Sequence, residues 1–454
     1  MREGRRQPIG IWSEIRGGQR WKNEGVSRVI GFIIEGVAKE KKYTFHLVVQ
    51  HGLAGEVRED LRGLKAKEGE DWIVYEPTAA DVRAWSSDKR FSELDIDSRL
   101  AACTALMANS EIDVDGWIVS FPHFSGALHL DKPKAVLMPD ALGYDFPDGW
   151  QGDENWGEDG YLVAWRESAK KVLANCDAIL TFSKHVARRH VEKLLDVHSD
   201  KIVVVPLARP NLEALLPFIK DRRKTKESLT QSADILRQHA ARSGNDYLID
   251  FPFEEVTFIV TATQDRPTKN LGRVAEATRR IVRERRHDIK MITTASIHMG
   301  EKWSLLPFFN ETDGLLRDVI SMHDLPREVH AALFHSAAVT VHPTMFEGIV
   351  GALPFFESLS VGTPCLLGRG PHVEELLEIE PSLGAFTFDP YDIDRMADLI
   401  EWLSTHPEAA LDVQLPAFER LSGYDWRDMA SAYVRAATLG ADTNAPDSSG
   451  RFAG

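Results

Sequence analysis

The sequence predicts an α/β protein made of two doubly wound domains, each built around a parallel sheet. The chain has 454 residues, of which 43% are hydrophobic, and this is enough to bury more than one core. Short apolar runs alternate with helical patterns, which favours parallel strands joined by crossover helices. The alternation occurs twice, before and after a polar, largely helical stretch, so we expect two domains of similar construction.

The strand candidates follow one another in chain order. In the first half they are IGIWSEI, HLVVQHG, WIVYEP, GWIVSF, KAVLMP, AILTFS and KIVVVP, and in the second half VTFIVTAT, IKMITTAS, AVTVHPT and TPCLLG. We therefore expect a first domain at 1–210, a connection with an inserted helix at 211–252, a second domain at 253–420, an amphipathic closing helix at 421–440 and a disordered polar tail at 441–454.

Composition argues against several classes of protein. The formal net charge of −15 disfavours general nucleic-acid binding, which depends on a basic surface. The chain has neither a GxGxxG motif after a strand nor a GxxxxGK[ST] loop, so dinucleotide and P-loop enzymes are not supported. Three scattered cysteines, no secretory signal and no apolar run long enough to span a bilayer predict a cytoplasmic protein without disulfides.

Basic residues are nevertheless clustered. Residues 1–42 contain ten Lys or Arg against five acids, and KDRRKTK from Lys220 and RRIVRERRH from Arg279 are further clusters. Two interpretations stay open. These clusters are either solvated helix surfaces or a dock for anionic lipid headgroups or a lipid diphosphate acceptor at the inner face of the membrane.

The most informative segment is HPTMFEGIVGALPFFESLSVGTPCLL, which starts at His342. A buried strand is predicted to end at its start, Gly348 and Gly351 give a turn backbone freedom, and a helix begins near Leu353. A glycine-rich loop that leads into a helix presents free N–H groups and the positive end of the helix dipole, which suits a diphosphate.

Two glutamates flank this turn. Glu357 would lie one turn inside the helix and accept hydrogen bonds from ribose hydroxyls, whereas Glu347 would lie on the loop and face the sugar. The segment therefore predicts a nucleotide-sugar site. The alternatives are a solvated loop acid for Glu347 and an acid that stabilises the helix dipole for Glu357.

This segment resembles the C-terminal signature of retaining glycosyltransferases of family four, of the bacterial cell-surface polysaccharide type. TATQDRPTKNL from Thr261 is similar to the family's strand and loop that bind the donor diphosphate, which implies that role for Arg266 and Lys269. RGGQRWKNEGVSRVIGFIIEGVAK resembles the first loop and helix, where Gly17 and Gly18 would approach the phosphates or the acceptor. ANCDAILTFSKHVARRH and KIVVVPLARPN resemble the end of the N-terminal domain.

Two departures from the family pattern matter. Nine residues separate Glu347 from Glu357, two more than usual, and this leaves the position of Glu347 less determined than that of Glu357. KAVLMPDALGYDFP places Pro139 where the family often has a histidine near the reacting sugar. Asp140 follows and would orient an acceptor hydroxyl or act near the transferred sugar, unless it is only a turn residue. His123 is a weak substitute for the histidine.

The resemblance implies a GT-B fold, in which two Rossmann-like doubly wound domains face each other across a cleft. It implies retaining transfer of a sugar from GDP-mannose or a UDP-sugar to a growing cell-surface glycan, such as an O-antigen, a capsule or an exopolysaccharide. The acceptor would be a glycan or a lipid-linked oligosaccharide. A mannosyltransferase is the first expectation, without a metal ion or cofactor.

Under this interpretation, Arg266, Lys269, Glu347 and Asp140 are candidate catalytic residues. The donor-binding candidates are Glu357, Gly348, Gly351, Gly17 and Gly18. Two other functions stay open: a sucrose- or trehalose-type synthase with a small soluble acceptor, and a GT-B scaffold subunit without catalysis.

Overall fold

A computed structural model describes residues 6–15, 21, 25–146, 161–296 and 318–441. The chain divides into two compact units. The first comprises Met1–Asp145, Asp153–Ala208 and Tyr424–Gly454, and the second comprises Phe146–Gly152 and Arg209–Gly423. Gly17, Gly18 and nearly all of the predicted polar tail lie outside the described residues.

The first unit contains a parallel sheet of seven strands in the order β3-β2-β1-β4-β5-β6-β7. The strands are β1 Gln7–Trp12, β2 Tyr43–Val48, β3 Trp72–Tyr75, β4 Trp117–Val119, β5 Lys134–Met138, β6 Ala178–Thr181 and β7 Ile202–Val204. Central β1 pairs with β2 on one side and with β4 on the other. Its residue Gly10 must be glycine, because a Cβ there would lie 2.1 Å from the ring of Trp117.

The second unit contains a parallel sheet of six strands in the order β10-β9-β8-β11-β12-β13. The strands are β8 Phe258–Thr261, β9 Lys290–Thr293, β10 Val319–Ser321, β11 Val339–His342, β12 Cys365–Gly368 and β13 Thr387–Phe388. Most of their residues are buried, as expected when helices cover both faces of a parallel sheet.

Helices connect the strands in both units. They are α1 Gly25–Ala38, α2 Ala54–Leu61, α3 Ala79–Ser86, α4 Ile96–Glu111, α5 Leu142–Asp145, α6 Tyr161–Ala174, α7 Lys226–Ser243, α8 Asp246–Ile249, α9 Leu271–Arg279, α10 Arg327–Ser336, α11 Leu353–Ser360, α12 Pro371–Ile379, α13 Ile393–Thr405, α14 Pro407–Leu421 and α15 Trp426–Leu439. Wider π-type turns form Val186–Leu194 and Arg280–Glu284. None of the described helices has an apolar stretch long enough to cross a membrane.

The closing helix α15 belongs to the first unit. Asp425 caps its first turn, with its carboxylate accepting hydrogen bonds from two N–H groups of the helix. The ring of Trp426 lies 4.8 Å from the ring of Phe32 in α1. Gly36 makes this approach possible, because a Cβ there would lie 2.5 Å from the Cβ of Trp426.

Residues 211–252, which the sequence analysis assigned to a connection, are part of the second unit. Leu236 of α7 is fully buried and shares a core cluster with Phe334 of α10. His335 of α10 also reaches Ser228 of α7, with its Nε2 2.8 Å from the serine Oγ. The polar residues of α7 therefore lie mainly on its outer face, while its apolar side extends the core of the second unit.

The basic cluster from Arg279 has acidic partners in the same unit. Arg279 pairs with Glu276 at 2.8 Å, and Arg285 pairs with Glu401 at 2.7 Å. Arg280 pairs with Asp394. These contacts balance the charge of the cluster and favour the interpretation as a solvated helix surface.

Candidate functional site

The predicted donor residues lie at the carboxyl edge of the second sheet. β8, β11 and β12 are neighbours, and the loops that follow them lead into α9, α11 and α12. The chain leaves β8 for β9 on one side of it and later returns to β11 on the other side, so the strand order reverses between β8 and β11. Ligands of doubly wound sheets bind outside the carboxyl ends of strands at such a reversal.

The loop after β8 is held to the loop after β11 by its backbone and by one asparagine. The carbonyl of Thr268 accepts a hydrogen bond from the N–H of Met345 at 3.0 Å. Asn270 adopts a left-handed conformation with φ of 57°, and its Nδ2 donates to the carbonyls of Pro343 and Pro390 at 3.3 and 2.9 Å. These bonds fix the position of Lys269, which lies between Thr268 and Asn270.

Lys269 and Glu347 form an ion pair, with Nζ 2.5 Å from Oε1. Their side chains are 15% and 24% exposed, so water screens the pair only in part. Burial by itself raises the pKa of Glu347, but the charge of Lys269 and the contact with His342 lower it by more. The carboxylate of Glu347 is therefore ionised at neutral pH. The longer spacing to Glu357 still leaves Glu347 on the loop, next to a residue of the predicted diphosphate site.

His342 is a site residue that the sequence analysis missed. It ends β11, its side chain is 3% exposed, and its Nε2 lies 3.5 Å from Oε1 of Glu347. The ring of His372 in α12 stands at 83° to it, with the ring centroids 6.1 Å apart. The only sequence signal was a polar residue at the end of an apolar strand, immediately before Pro343.

Glu357 occupies the predicted place, one turn inside α11. Its side chain is buried, and its Oε2 lies 3.4 Å from Nε2 of His330 in α10. Ala352 precedes the helix and has no side-chain acceptor with which to cap the N–H groups of the first turn. Pro354 has no N–H, and the N–H of Phe355 donates to the carbonyl of Ala352 at 3.2 Å. The N–H of Leu353 and the helix dipole are therefore what this terminus can offer an anion.

The turn between the two glutamates depends on glycine. Gly351 has φ of 72°, and its N–H donates to the carbonyl of His372 at 2.9 Å. Gly348 lies buried in the same turn. Arg209 supports this turn, because its Nη1 donates to the carbonyl of Val350 at 3.3 Å and its guanidinium lies 4.0 Å from the centre of the Phe356 ring. No motif around Arg209 indicated this role.

Arg266 immediately precedes the short helical turn Pro267–Lys269 and has an exposed side chain. Within the described part of the chain, no hydrogen bond or ion pair of its guanidinium is present. Arg266 and Lys269 thus belong to one turn of backbone, and Arg266 extends from it into solvent. Its exposure is compatible with the predicted contact to a diphosphate.

The first-unit candidates lie after β5. The Oδ1 of Asp140 accepts a hydrogen bond from the N–H of Leu142 at 3.1 Å, which is a turn contact. His190, missed by the sequence analysis, accepts from the N–H of Ala141 through Nδ1 at 3.0 Å, and its Nε2 lies 2.6 Å from Asp145. His190 therefore anchors the segment that carries Asp140.

Two further residues of the first unit are His123, the weak substitute for the histidine, and Ser183, which ends the run AILTFS and is expected from the sequence to cap the following helix. His123 lies in an aromatic group, 4.8 Å from the ring of Phe124 and 6.2 Å from that of Trp165, measured between centroids. Ser183 caps the following helical turn, because its Oγ accepts from the N–H of Val186 at 3.2 Å. Both contacts are explained by packing or capping.

One group of metal-binding side chains occurs among the described residues, formed by Asp145, His185 and His190. Nδ1 of His190 accepts a backbone N–H, so the neutral ring carries its proton on Nε2, the nitrogen that faces Asp145. A metal at Nε2 would require that proton to leave and the bond to Ala141 to break. The geometry argues against an ion at this group.

Comparison with known proteins gives structural matches only. No family model matches the sequence, and no curated protein matches it. Solved structures match across both units. A sucrose-phosphate synthase of Thermosynechococcus elongatus is 12% identical, with a TM-score of 0.64 over 95% of this chain and 98% of that chain. HepE of Anabaena, in complex with UDP-glucose, is 10% identical, with a TM-score of 0.64 over 94% of this chain and 98% of that chain.

The fold is GT-B. An α,α-trehalose 6-phosphate synthase of Burkholderia multivorans is 12% identical, with a TM-score of 0.59 over 95% of this chain and 98% of that chain. The prediction of two Rossmann-like parallel-sheet domains is confirmed. At these identities the similarity is one of fold, and function has to be argued from the site.

Proposed function

We propose that this chain is a glycosyltransferase that moves a sugar from a nucleoside-diphosphate donor bound at the carboxyl edge of the second sheet. The observation that carries the proposal is the ion pair of Lys269 and Glu347 beside the N-terminus of α11. A partly buried ammonium, an ionised carboxylate and the positive end of a helix dipole on one sheet edge supply what a diphosphate and a sugar require.

Each group has a distinct task in this proposal. Arg266 and Lys269 bind the diphosphate oxygens, assisted by the positive end of the α11 dipole. Glu347 orients the transferred sugar through a hydroxyl group. Glu357, being buried one turn further along, accepts hydrogen bonds from the ribose.

The proposed reaction is retaining and needs no protein nucleophile. The bond between the anomeric carbon and the diphosphate breaks, and the acceptor oxygen bonds to the same face of that carbon. The acceptor proton passes to an oxygen of the departing diphosphate. Arg266 and Lys269 stabilise the charge that develops on the diphosphate, so we propose catalysis without a metal ion or cofactor.

Uridine nucleotides are the first donors to test. HepE was solved with UDP and with UDP-glucose, and an E. coli protein of the same fold was solved with UDP-2-fluoro glucose. GDP-mannose is the second donor class. The first unit would bind the acceptor, with Asp140 as a candidate contact for its hydroxyl group.

Two acceptor classes follow from the proposal. A growing cell-surface glycan, including a lipid-linked oligosaccharide, is the first, with the enzyme working in the cytoplasm. A small sugar phosphate is the second, and it is favoured by the structural match to sucrose-phosphate and trehalose 6-phosphate synthases.

The test is calorimetric titration of the purified protein with UDP, UDP-glucose, GDP and GDP-mannose, followed by a transfer assay with both acceptor classes. Lys269→Ala should weaken binding of the preferred nucleotide by about 10- to 100-fold, since a hydrogen bond to a charged group contributes about 1.5–3 kcal/mol. Lys226→Ala, which removes an exposed lysine of α7, is the matched control and should bind normally. Nucleotide binding that is unchanged in Lys269→Ala would contradict the assigned site, and no nucleotide binding at all would favour a scaffold.

A further inference from the structure

We propose that His342 is a positioning residue that holds the carboxylate of Glu347 in the orientation needed for the donor sugar. The effect on sugar recognition rests on the proposed function. The contact between His342 and Glu347 does not, because it belongs to the protein without a ligand.

His342 has a fixed position. It is the last residue of β11 and pairs with Leu367 of the neighbouring β12. Its side chain is 3% exposed, so the ring has little freedom to turn toward solvent. The backbone ladder and the surrounding core therefore determine where Nε2 points.

Nε2 of His342 points to Glu347. It is buried and has no hydrogen-bond partner of good geometry among the described residues. The carboxylate oxygen Oε1 of Glu347 lies 3.5 Å away. That distance is longer than a good hydrogen bond, and a buried donor without a partner is costly. A small movement of the loop closes the gap, and contacts of this kind are often long in a ligand-free site and shorten when the ligand binds.

Two donors thus converge on one oxygen. Nζ of Lys269 lies 2.5 Å from Oε1 of Glu347 on one side, and His342 approaches the same oxygen on the other. Oε2 has no hydrogen-bond partner in the part of the chain that the structure describes. Holding Oε1 from two sides restricts rotation of the carboxylate and leaves Oε2 to accept a hydrogen bond from a sugar hydroxyl.

His342 acts through Glu347 and does not touch the ligand. Its Nε2 is out of reach of solvent, so a bound sugar would have to displace protein atoms to contact it. What the proposal requires of residue 342 is a hydrogen-bond donor at the position of Nε2. Glutamine can place an N–H close to that position, whereas methionine fills a similar volume without a donor.

The first experiment is histidine-ring ¹⁵N NMR of the ligand-free protein. His342→Gln removes one ring signal and thereby assigns it. We expect that signal to show a protonated Nε2 and to shift in Glu347→Gln. An Nε2 without a proton, or a signal that does not respond to Glu347→Gln, would overturn the proposal whether or not the protein binds nucleotides.

The second experiment measures how much the sugar adds to affinity, as the ratio of the dissociation constants for UDP and UDP-glucose. We expect His342→Gln to keep the wild-type ratio and His342→Met to reduce the affinity for UDP-glucose by about tenfold, with UDP affinity unchanged. Equal behaviour of the two variants would mean a packing role and would refute the inference. If the wild-type protein binds neither compound, the uridine form of the proposed function fails, and the NMR result alone decides the role of His342.

Discussion

The ion pair of Lys269 and Glu347 determines which charged groups the candidate site offers to a ligand. The ammonium would otherwise be available to a diphosphate, and here it already has a partner at 2.5 Å. A bound diphosphate would add a second anion next to the same ammonium. Lys269 can serve both, because its amino group has three N–H donors.

The ionisation of Glu347 should make the unfolding free energy of the protein depend on pH. Its pKa is lower in the folded protein than the ordinary value of 4.5, so the stabilisation is present above that value and is lost as the pH falls below it. At pH 6, we expect the unfolding free energy of the wild type to exceed that of Glu347→Gln by on the order of 1 kcal/mol. This difference should decrease as the pH is lowered from 6 to 3. Urea unfolding at a series of pH values measures it.

Glu378→Gln controls for the loss of one negative charge, since Glu378 is an exposed residue of α12. If the difference between wild type and Glu347→Gln stayed constant over this pH range, the ion pair with Lys269 would not form in solution.

Single residues were predictable only where their neighbours in the sequence reveal them. Glu347 is next to Gly348, and Lys269 follows Pro267, which indicates loops at strand ends, whereas Glu357 was placed by the predicted start of its helix near Leu353. His342 and Arg209 also precede a proline, but this alone does not indicate a site residue, because their partners at Glu347 and Phe356 are brought to them only by folding. The pairing of Lys269 with Glu347 was missed for the same reason, although each residue was named.

At the scale of elements, α11 ends where the sequence indicated. Gly362 has φ of 77°, and its N–H donates to the carbonyl of Leu359 at 3.1 Å. This is the left-handed glycine that commonly terminates a helix. A Cβ at Gly362 would also lie 2.0 Å from the carbonyl oxygen of Arg222, so glycine is required on two grounds.

We expect Gly362→Ala to destabilise the protein by about 2 kcal/mol or more, since backbone strain and a steric clash add. Gly272→Ala is the matched control. Gly272 lies in α9, where an added Cβ meets nothing within 4 Å, and alanine there should be neutral or stabilise by about 0.5 kcal/mol. Chemical denaturation compares them, and equal stability of the two variants would contradict the structure around Arg222.

The strands were largely predictable, and the two exceptions have a common cause. Each predicted apolar run contains a strand, because a strand buried on both faces has to be apolar along its length. β10 (VIS) and β13 (TF) contain only two and one apolar residues, which is too few for an apolar run, whereas the equally short β4 and β7 are apolar throughout. The polar surface of α7 similarly concealed that residues 211–252 belong to the second unit.

For the whole molecule, the repeated alternation of strands and helices was sufficient to predict two Rossmann-like domains. It says little about the substrate, because many activities share this fold. Residues at the carboxyl ends of the strands define the proposed donor site, and the fold determines only the edge on which they lie. The acceptor is a property of loops, whose sequences follow no periodic pattern.

Nucleotide binding should therefore protect backbone amides at this edge of the second sheet from hydrogen exchange. We expect UDP to slow amide hydrogen exchange in 264–272 and in 342–357, because the diphosphate would bind beside the N-terminus of α11 and fix the side chains of Arg266 and Lys269. Hydrogen exchange followed by mass spectrometry, with and without UDP, measures this. Lys269→Ala at the same UDP concentration should lose most of the protection. Protection that appeared only in other peptides would place the nucleotide elsewhere, even if UDP bound tightly, and the roles given to Lys269, Glu347 and Glu357 would then have to be reassigned.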